Sequence, residues 1–136
     1  MKIDQEYLKQ LLEAFESADR PFIDLNDIEK AGLTENEHAF VFHMQILDDK
    51  NLIQQANGDP GFGLQHGVGG DEYYWSVIPL RLTADGHEFL EALRNEEVWS
   101  QLKANFKDAS IDTLWGVSRQ LLEGYAKKKV RELLGE

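Results

Sequence analysis

Side chains that could act as acids, bases or nucleophiles are common in this 136-residue sequence, but their spacing does not bring them together. The chain has 25 Asp and Glu residues, four histidines and no cysteine. Neighbouring residues on a helix or strand point apart, and three carboxylate pairs are such neighbours: Asp48-Asp49, Asp71-Glu72 and Glu96-Glu97. No serine or threonine lies in a nucleophile-elbow pattern. We therefore expect a non-enzymatic protein with no catalytic residues and no small-molecule substrate.

The histidine spacing does not predict a metal site. Two ligands on one helix need a spacing of three or four residues, whereas His38 and His43 are five residues apart. His66 and His87 stand alone in the sequence. We expect structural or exposed histidines, and neither a metal nor another cofactor.

A glycine-rich segment, residues 57–72 (NGDPGFGLQHGVGGDE), contains six glycines and one proline. A phosphate-binding loop would end in a Gly-Lys-Ser or Gly-Lys-Thr sequence and lead into a helix. Neither feature is present, so the segment predicts a long flexible wing between two strands.

A basic cluster lies near the end of the last predicted helix: Lys127, Lys128, Lys129 and Arg131. Cations in the last turns of a helix complement its dipole, which is a purely structural role. The same cluster could instead contact an acidic partner, which could be nucleic acid, another protein or the acidic part of a second copy of this chain. The sequence leaves both interpretations open.

The charge distribution weighs against DNA binding. The net charge is −11, and residues 1–96 carry 7 basic and 19 acidic side chains against 7 and 6 in residues 97–136. Duplex DNA binding gains much of its free energy from the counterions that Lys and Arg release at phosphates. Only the C-terminal segment could supply such a surface.

Length and composition predict one domain, or a domain with an appendage. A chain of this size buries roughly 68% of its unfolded surface and needs no disulfide or metal to fold. The absence of cysteine fits a reducing compartment. We see neither a signal peptide nor a membrane span in the hydropathy pattern, and we expect a soluble, cytoplasmic protein.

A helix over about residues 35–50 organises the predicted fold. Thr34 and Glu37 have the spacing of a capping box at its start, and Asn51 is a plausible left-handed residue at its end. Residues 52–55 then predict a short strand.

Two apolar rows lie on this helix. Phe40, Met44 and Leu47 would face the core, and a second row would face away from it: Ala39, Phe42 and Ile46. A helix that reads DNA would carry polar or basic side chains in that second row. Lys50 is the only Lys or Arg between residues 31 and 80. We therefore expect the second row to be covered by protein.

Two further helices and a strand precede that helix. Asp4 caps a first helix whose apolar face is Leu8, Leu11, Leu12 and Phe15. Residues 22–25 predict a short strand, and Asn26 or Asp27 caps a short helix that stops at Gly32.

The second half of the chain continues with a strand and helices. Residues 73–78 predict a strand that pairs with 52–55 as an antiparallel hairpin. Thr83 and Ser110 are predicted caps of a fourth helix and of a long C-terminal helix. The apolar side chains assigned to these helices and to the segment between them include Phe89, Leu90, Leu93, Val98, Trp99, Leu102, Phe106, Leu114 and Trp115.

The element order resembles the winged helix-turn-helix, and two segments narrow the resemblance. RLTADGHEFLEALRNEEVW (Arg81–Trp99) and HMQILDDKNLIQ (His43–Gln54) resemble motifs of a family of short bacterial and phage proteins, domain of unknown function 2513. The C-terminal ASIDTLWGVSRQLLEGYAKKKVRELLG is similar to the helix that closes the family's members. The resemblance implies a winged-helix fold. It implies no activity, because none is assigned to the family.

The sequence thus predicts an α+β fold, with a winged helix-turn-helix over residues 1–96 that has a long glycine-rich wing, and C-terminal helices over 97–136. These helices would pack on that domain or on a second copy, as a homodimer. We expect an interaction module that binds a protein partner or itself. The alternatives are a DNA-binding transcriptional regulator and an acidic protein that binds a basic partner. The candidate interaction residues are Ala39, Phe42, Ile46, Trp99, Trp115, Lys127, Lys128, Lys129 and Arg131.

Overall fold

Six helices and two small antiparallel sheets make up the computed structural model, which describes residues 1–136. In chain order the elements are α1 (Gln5–Glu16), α2 (Leu25–Lys30), α3 (Glu37–Asp49), β1 (Ile53–Gln55), β2 (Leu64–His66), β3 (Tyr73–Trp75), β4 (Leu80–Leu82), α4 (Ala84–Arg94), α5 (Glu96–Asn105) and α6 (Ile111–Leu133). This architecture confirms the predicted α+β class.

Three of the predicted helix caps are confirmed. The side-chain oxygens of Asp4, Thr83 and Ser110 accept hydrogen bonds from backbone N–H groups in the first turns of α1, α4 and α6. Such bonds satisfy amide donors that have no partner within the helix.

Two predicted caps are wrong. The N-cap of α3 is Asn36, which accepts from the N–H of Ala39 at 3.1 Å, so the helix begins two residues later than the Thr34 capping box predicts. The N-cap of α2 is Asp24, whose carboxylate and that of Asp27 accept from each other's backbone N–H. At α3, asparagine is a stronger N-cap than threonine, and at α2 the reciprocal capping box of Asp24 and Asp27 satisfies two backbone donors at once.

One hydrophobic core of 20 buried residues runs through the molecule. It contains the predicted inner row of α3, Phe40, Met44 and Leu47, and the predicted faces of α1 and α4. Val98, Leu102 and Leu114 of α5 and α6 belong to the same core. The C-terminal helices therefore share the core of the N-terminal elements.

The predicted pairing of residues 52–55 with 73–78 is wrong. β1 pairs antiparallel with β4, with Ile53 opposite Leu82 and Gln55 opposite Leu80. Leu80 and Leu82 are both buried, so the inward side of β4 matches that of β1. Ile23, in the predicted strand 22–25, makes a single antiparallel bridge to Leu80.

Part of the predicted flexible wing is a second hairpin. β2 pairs with β3, so that Leu64 lies opposite Trp75 and His66 opposite Tyr73. The Trp75 ring lies 5.5 Å from that of Phe40 and 6.1 Å from that of Phe62, between ring centroids. These aromatic contacts fold the hairpin back onto the core.

The C-terminal helices α5 and α6 pack against α4 and against each other. The Trp115 ring of α6 meets the Phe89 ring of α4 edge to face, with centroids 5.6 Å apart. At the C-terminal end of α5, Gln5 Nε2 of α1 donates to the carbonyl oxygen of Phe106 at 2.8 Å. This hydrogen bond joins α1 to α5. None of the six helices combines the length and the apolar character that a membrane crossing requires.

Candidate interaction surfaces

His43 fixes the orientation of α3. Its side chain is buried, its Nε2 accepts from the backbone N–H of Asp4 at 2.9 Å, and its Nδ1 donates to the carbonyl oxygen of Ala39 at 2.7 Å. The ring lies edge to face with Tyr7, with centroids 4.8 Å apart, and Tyr7 donates its hydroxyl hydrogen to Leu33 O. The inner side of α3 is therefore anchored to α1.

Two pKa values reflect this burial. Desolvation lowers the pKa of His43, and the hydrogen bond to Ala39 and the charge of Asp4 oppose that change. Desolvation, with a smaller contribution from Asp4, raises the pKa of Tyr7 to about 12. Both side chains are thus held neutral at physiological pH, as packing groups rather than as acids or bases.

The second row of α3, Ala39, Phe42 and Ile46, is called here the outer row. All three side chains are partly exposed, and none belongs to the core or to the partly buried apolar side chains that pack on it. The row therefore lies outside the core that the C-terminal helices share with the N-terminal elements. Cover by a protein partner or a second copy stays a prediction.

The wing hairpin lies beside α3, a contact that the sequence did not predict. The Tyr73 hydroxyl and His38 Nδ1 share a hydrogen bond of 2.6 Å, and Gln45 Nε2 donates to His66 Nε2 at 3.2 Å. Asp48 accepts from the N–H of Gly61 at 2.9 Å. The six residues between His66 and Tyr73 include three glycines, and this glycine-containing connection is the signal that could have predicted a hairpin.

Lys50, at the C-terminal end of α3, pairs with Asp112 of α6. This is the only hydrogen bond or ion pair between α3 and the C-terminal helices. Because Lys50 is the only Lys or Arg between residues 31 and 80, α3 presents no free cation.

Trp99 and Trp115 lie on α5 and α6 and are partly buried against the core. Lys9 Nζ lies 4.5 Å from the centre of the Trp99 ring, and the Arg119 guanidinium lies 4.9 Å from that of Trp115. Both indoles are occupied by contacts within the chain. Both indoles belong to the side chains that pack on the core, and the outer row of α3 does not.

The last turns of α6 protrude from the molecule. Every residue from Ala126 to Glu136 is exposed, including Val130 at 53%, Leu133 at 74% and Leu134 at 69%. The basic side chains Lys127, Lys128, Lys129 and Arg131 make no ion pair or side-chain hydrogen bond within the chain. This segment is the second candidate interaction surface.

A groove lies beside that segment, between α6 and the start of α5. Its volume is about 470 Å³, and it is lined by Asn95, Glu96, Glu97, Leu122, Tyr125, Ala126 and Lys129. No three His, Asp or Glu side chains are grouped so that they could hold a metal ion.

Comparison with known proteins gives a family and one relative. A family described as "Hypothetical protein (DUF2513)" matches residues 2–112, so that nearly all of α6 lies outside the match. An uncharacterised protein of Haemophilus influenzae is 38% identical over 48 residues, which are 35% of this chain and 41% of that protein. The chain therefore spans less than half of that relative's length. No solved structure matches.

The family match covers the motifs of Arg81–Trp99 and His43–Gln54 together with α1 to α5. Two of the three segments in which the sequence resembles the family thus lie inside the match, and the third, the C-terminal helix, lies almost wholly outside it. The chain belongs to the family of hypothetical proteins DUF2513.

Proposed function

We propose that this chain is a non-enzymatic interaction module built on a winged helix, which binds a protein through the outer row of α3. The element order supports the winged helix. Three helices are followed by β1, a wing and β4. β4 pairs with β1 and also forms a single β-bridge with Ile23. In this arrangement α3 takes the place of a recognition helix, whose outer side is the usual contact surface.

The chemistry of that outer side carries the proposal. Ala39, Phe42 and Ile46 are partly exposed apolar side chains, and the one nearby cation, Lys50, is paired with Asp112. A DNA-reading surface needs unpaired Lys and Arg at phosphates and polar groups at base edges. A partly exposed apolar row in acidic surroundings is better matched to the apolar core of a protein interface.

The alternative, a DNA-binding regulator, would have to use other residues. The only unpaired basic cluster is at the end of α6, residues 127–131, and not on α3 or the wing. A random-sequence duplex, titrated at about 50 mM salt and followed by fluorescence anisotropy, measures the nonspecific affinity that DNA-binding proteins share. We expect no salt-sensitive binding.

Site-specific crosslinking tests the protein contact directly. A photoreactive benzoylphenylalanine replaces Phe42 in the full chain, and the cells that naturally contain the protein are irradiated. We expect a discrete protein adduct that disappears when Ile46→Glu is added. The same photoreactive residue at Glu29, which is exposed on α2, is the control. Equal adducts at both positions, or no protein adduct from Phe42, would contradict the proposal.

A further inference from the structure

The outward side of α6 carries a regular series of residues: Gly116, Gln120, Glu123, Lys127, Val130 and Leu134. Their spacing alternates between four and three residues, which is the spacing of the contact positions in a coiled coil. Gly116 is partly exposed and the other five are exposed. This series, the α6 seam, faces away from the core.

The seam has no partner within the chain. Val130 and Leu134 are 53% and 69% exposed, and neither Glu123 nor Lys127 makes an ion pair. Short helical segments that pack on nothing are marginal in water, and Gly124 further lowers the stability of a helix interior relative to alanine. A packed partner would supply the missing stabilisation.

Charge complementarity indicates an acidic partner. Residues 126–136 carry four basic and two acidic side chains, a net charge of +2, whereas residues 1–125 carry 10 and 23, a net charge of −13. The end of α6 is therefore attracted to the body of another copy. Glu123 is the acidic group on the seam itself that a basic side chain of a second copy could meet.

The seam can pair with the seam of a second copy, and the positions of its charged residues favour one orientation of the two helices. In an antiparallel pair with the two-fold axis level with Tyr125, Glu123 lies opposite Lys127, Gln120 opposite Val130, and Gly116 opposite Leu134. The symmetry makes each of these contacts twice. In a parallel pair Lys127 would face Lys127, and Glu123 would face Glu123. Opposite charges thus favour the antiparallel arrangement.

We propose that α6 pairs antiparallel with α6 of a second copy of this chain through the α6 seam. The pairing goes beyond the proposed function, because it adds a contact with a second copy to the contact proposed for α3. It uses a surface separate from the outer row of α3, which stays free in the dimer. Gly116 leaves room for the opposing Leu134, because no atom lies within 4 Å of where its Cβ would be.

Charge exchange tests the register, with association measured by sedimentation equilibrium at low salt. We expect Glu123→Lys and Lys127→Glu each to weaken dimerisation about tenfold or more, because each places like charges opposite one another twice. The double variant E123K/K127E restores opposite charges and should recover most of the affinity. Both residues are exposed, so folding is unaffected. Glu29→Lys, the same charge change on α2, is the control.

Disulfide trapping tests the orientation, because the chain has no cysteine of its own. Ala126→Cys lies beside the two-fold axis, and we expect mild oxidation to convert this variant to a covalent dimer. Ser100→Cys, exposed on α5, should remain monomeric. A chain that is monomeric at all concentrations, equal trapping at both positions, or a double charge variant no better than the single ones would overturn the proposal.

The failure of this inference can be told apart from the failure of the proposed function. Loss of self-association with crosslinks from Phe42 intact would refute the α6 pairing alone. Dimerisation through α6 without any adduct from Phe42 would refute the α3 contact alone.

Discussion

The imidazole of His43 accepts a hydrogen bond of 2.9 Å from the backbone N–H of Asp4. Because a backbone N–H can only donate, Nε2 is the unprotonated nitrogen, and the proton resides on Nδ1, which donates to Ala39 O. Protonation of Nε2 would place its N–H opposite the N–H of Asp4, so that two donors would face each other in a buried site. The neutral ring thus joins the start of α1 to the middle of α3.

We expect the free energy of unfolding to fall as the pH drops below about 6.5, the ordinary pKa of histidine. Burial lowers the pKa of His43 in the folded chain, so the unfolded state binds more protons between that lowered value and 6.5. Stability is therefore complete above 6.5 and is lost through this window at up to about 1.4 kcal/mol per pH unit. Urea unfolding at a series of pH values measures it.

A matched pair of variants separates His43 from the carboxylates that titrate at lower pH. His43→Gln should cost about 1–3 kcal/mol at neutral pH, because the N–H of Asp4 loses its buried partner, and should flatten the pH dependence near 6. His87→Gln, at an exposed position, should retain the wild-type profile. An unchanged pH profile in His43→Gln would show that other groups cause the dependence.

Gly86 is expected to be intolerant of any side chain. It is buried in the first turn of α4, and a Cβ there would overlap the carbonyl oxygen of Leu52 and lie 3.3 Å from Leu82 Cβ. Gly86→Ala should destabilise the protein by about 1–3 kcal/mol or more through overpacking. Gly124→Ala is the control, since its Cβ would meet no atom, and below the concentration of self-association it should add about 1 kcal/mol.

Local patterns predicted the helices because their signals lie within a few residues. The spacing of Phe40, Met44 and Leu47 identified the buried side of α3, and Thr83 identified the start of α4. The strand partner of β1 was missed because β4 has only three residues, and its pairing depends on contacts far away in sequence. By composition alone, the more β-prone residues 73–78 are the better partner.

The candidate surfaces could be named from the sequence only in part. The outer row and the basic cluster stand out as residue types at helical spacing. Their exposure depends on where α6 leaves the body of the protein and on how the wing folds against α3, and neither is a local property. The hydrogen bond between Tyr73 and His38 could not be predicted from the sequence for the same reason.

Asn51 should tolerate glycine but not alanine. It ends α3 with a φ of 59°, in the left-handed region, where a Cβ-bearing residue is strained. Asn51→Ala should cost about 1 kcal/mol, whereas Asn51→Gly should change stability by only a few tenths. Thermal unfolding compares the two. Equal melting temperatures would show that this backbone conformation is not retained.

Trp75 should hold the wing hairpin on the core through its contacts with Phe40 and Phe62. Because Trp75 is partly exposed, we expect Trp75→Ala to cost somewhat less than the roughly 3–5 kcal/mol of a fully buried tryptophan. Hydrogen exchange should accelerate at the N–H of Ser76, which bonds Gly63 O at 2.8 Å, while the amides of α4 keep their protection. Tyr74→Ala, on the exposed side of β3, is the matched control. Equal protection in both variants would mean that the hairpin is held by its own strand pairing.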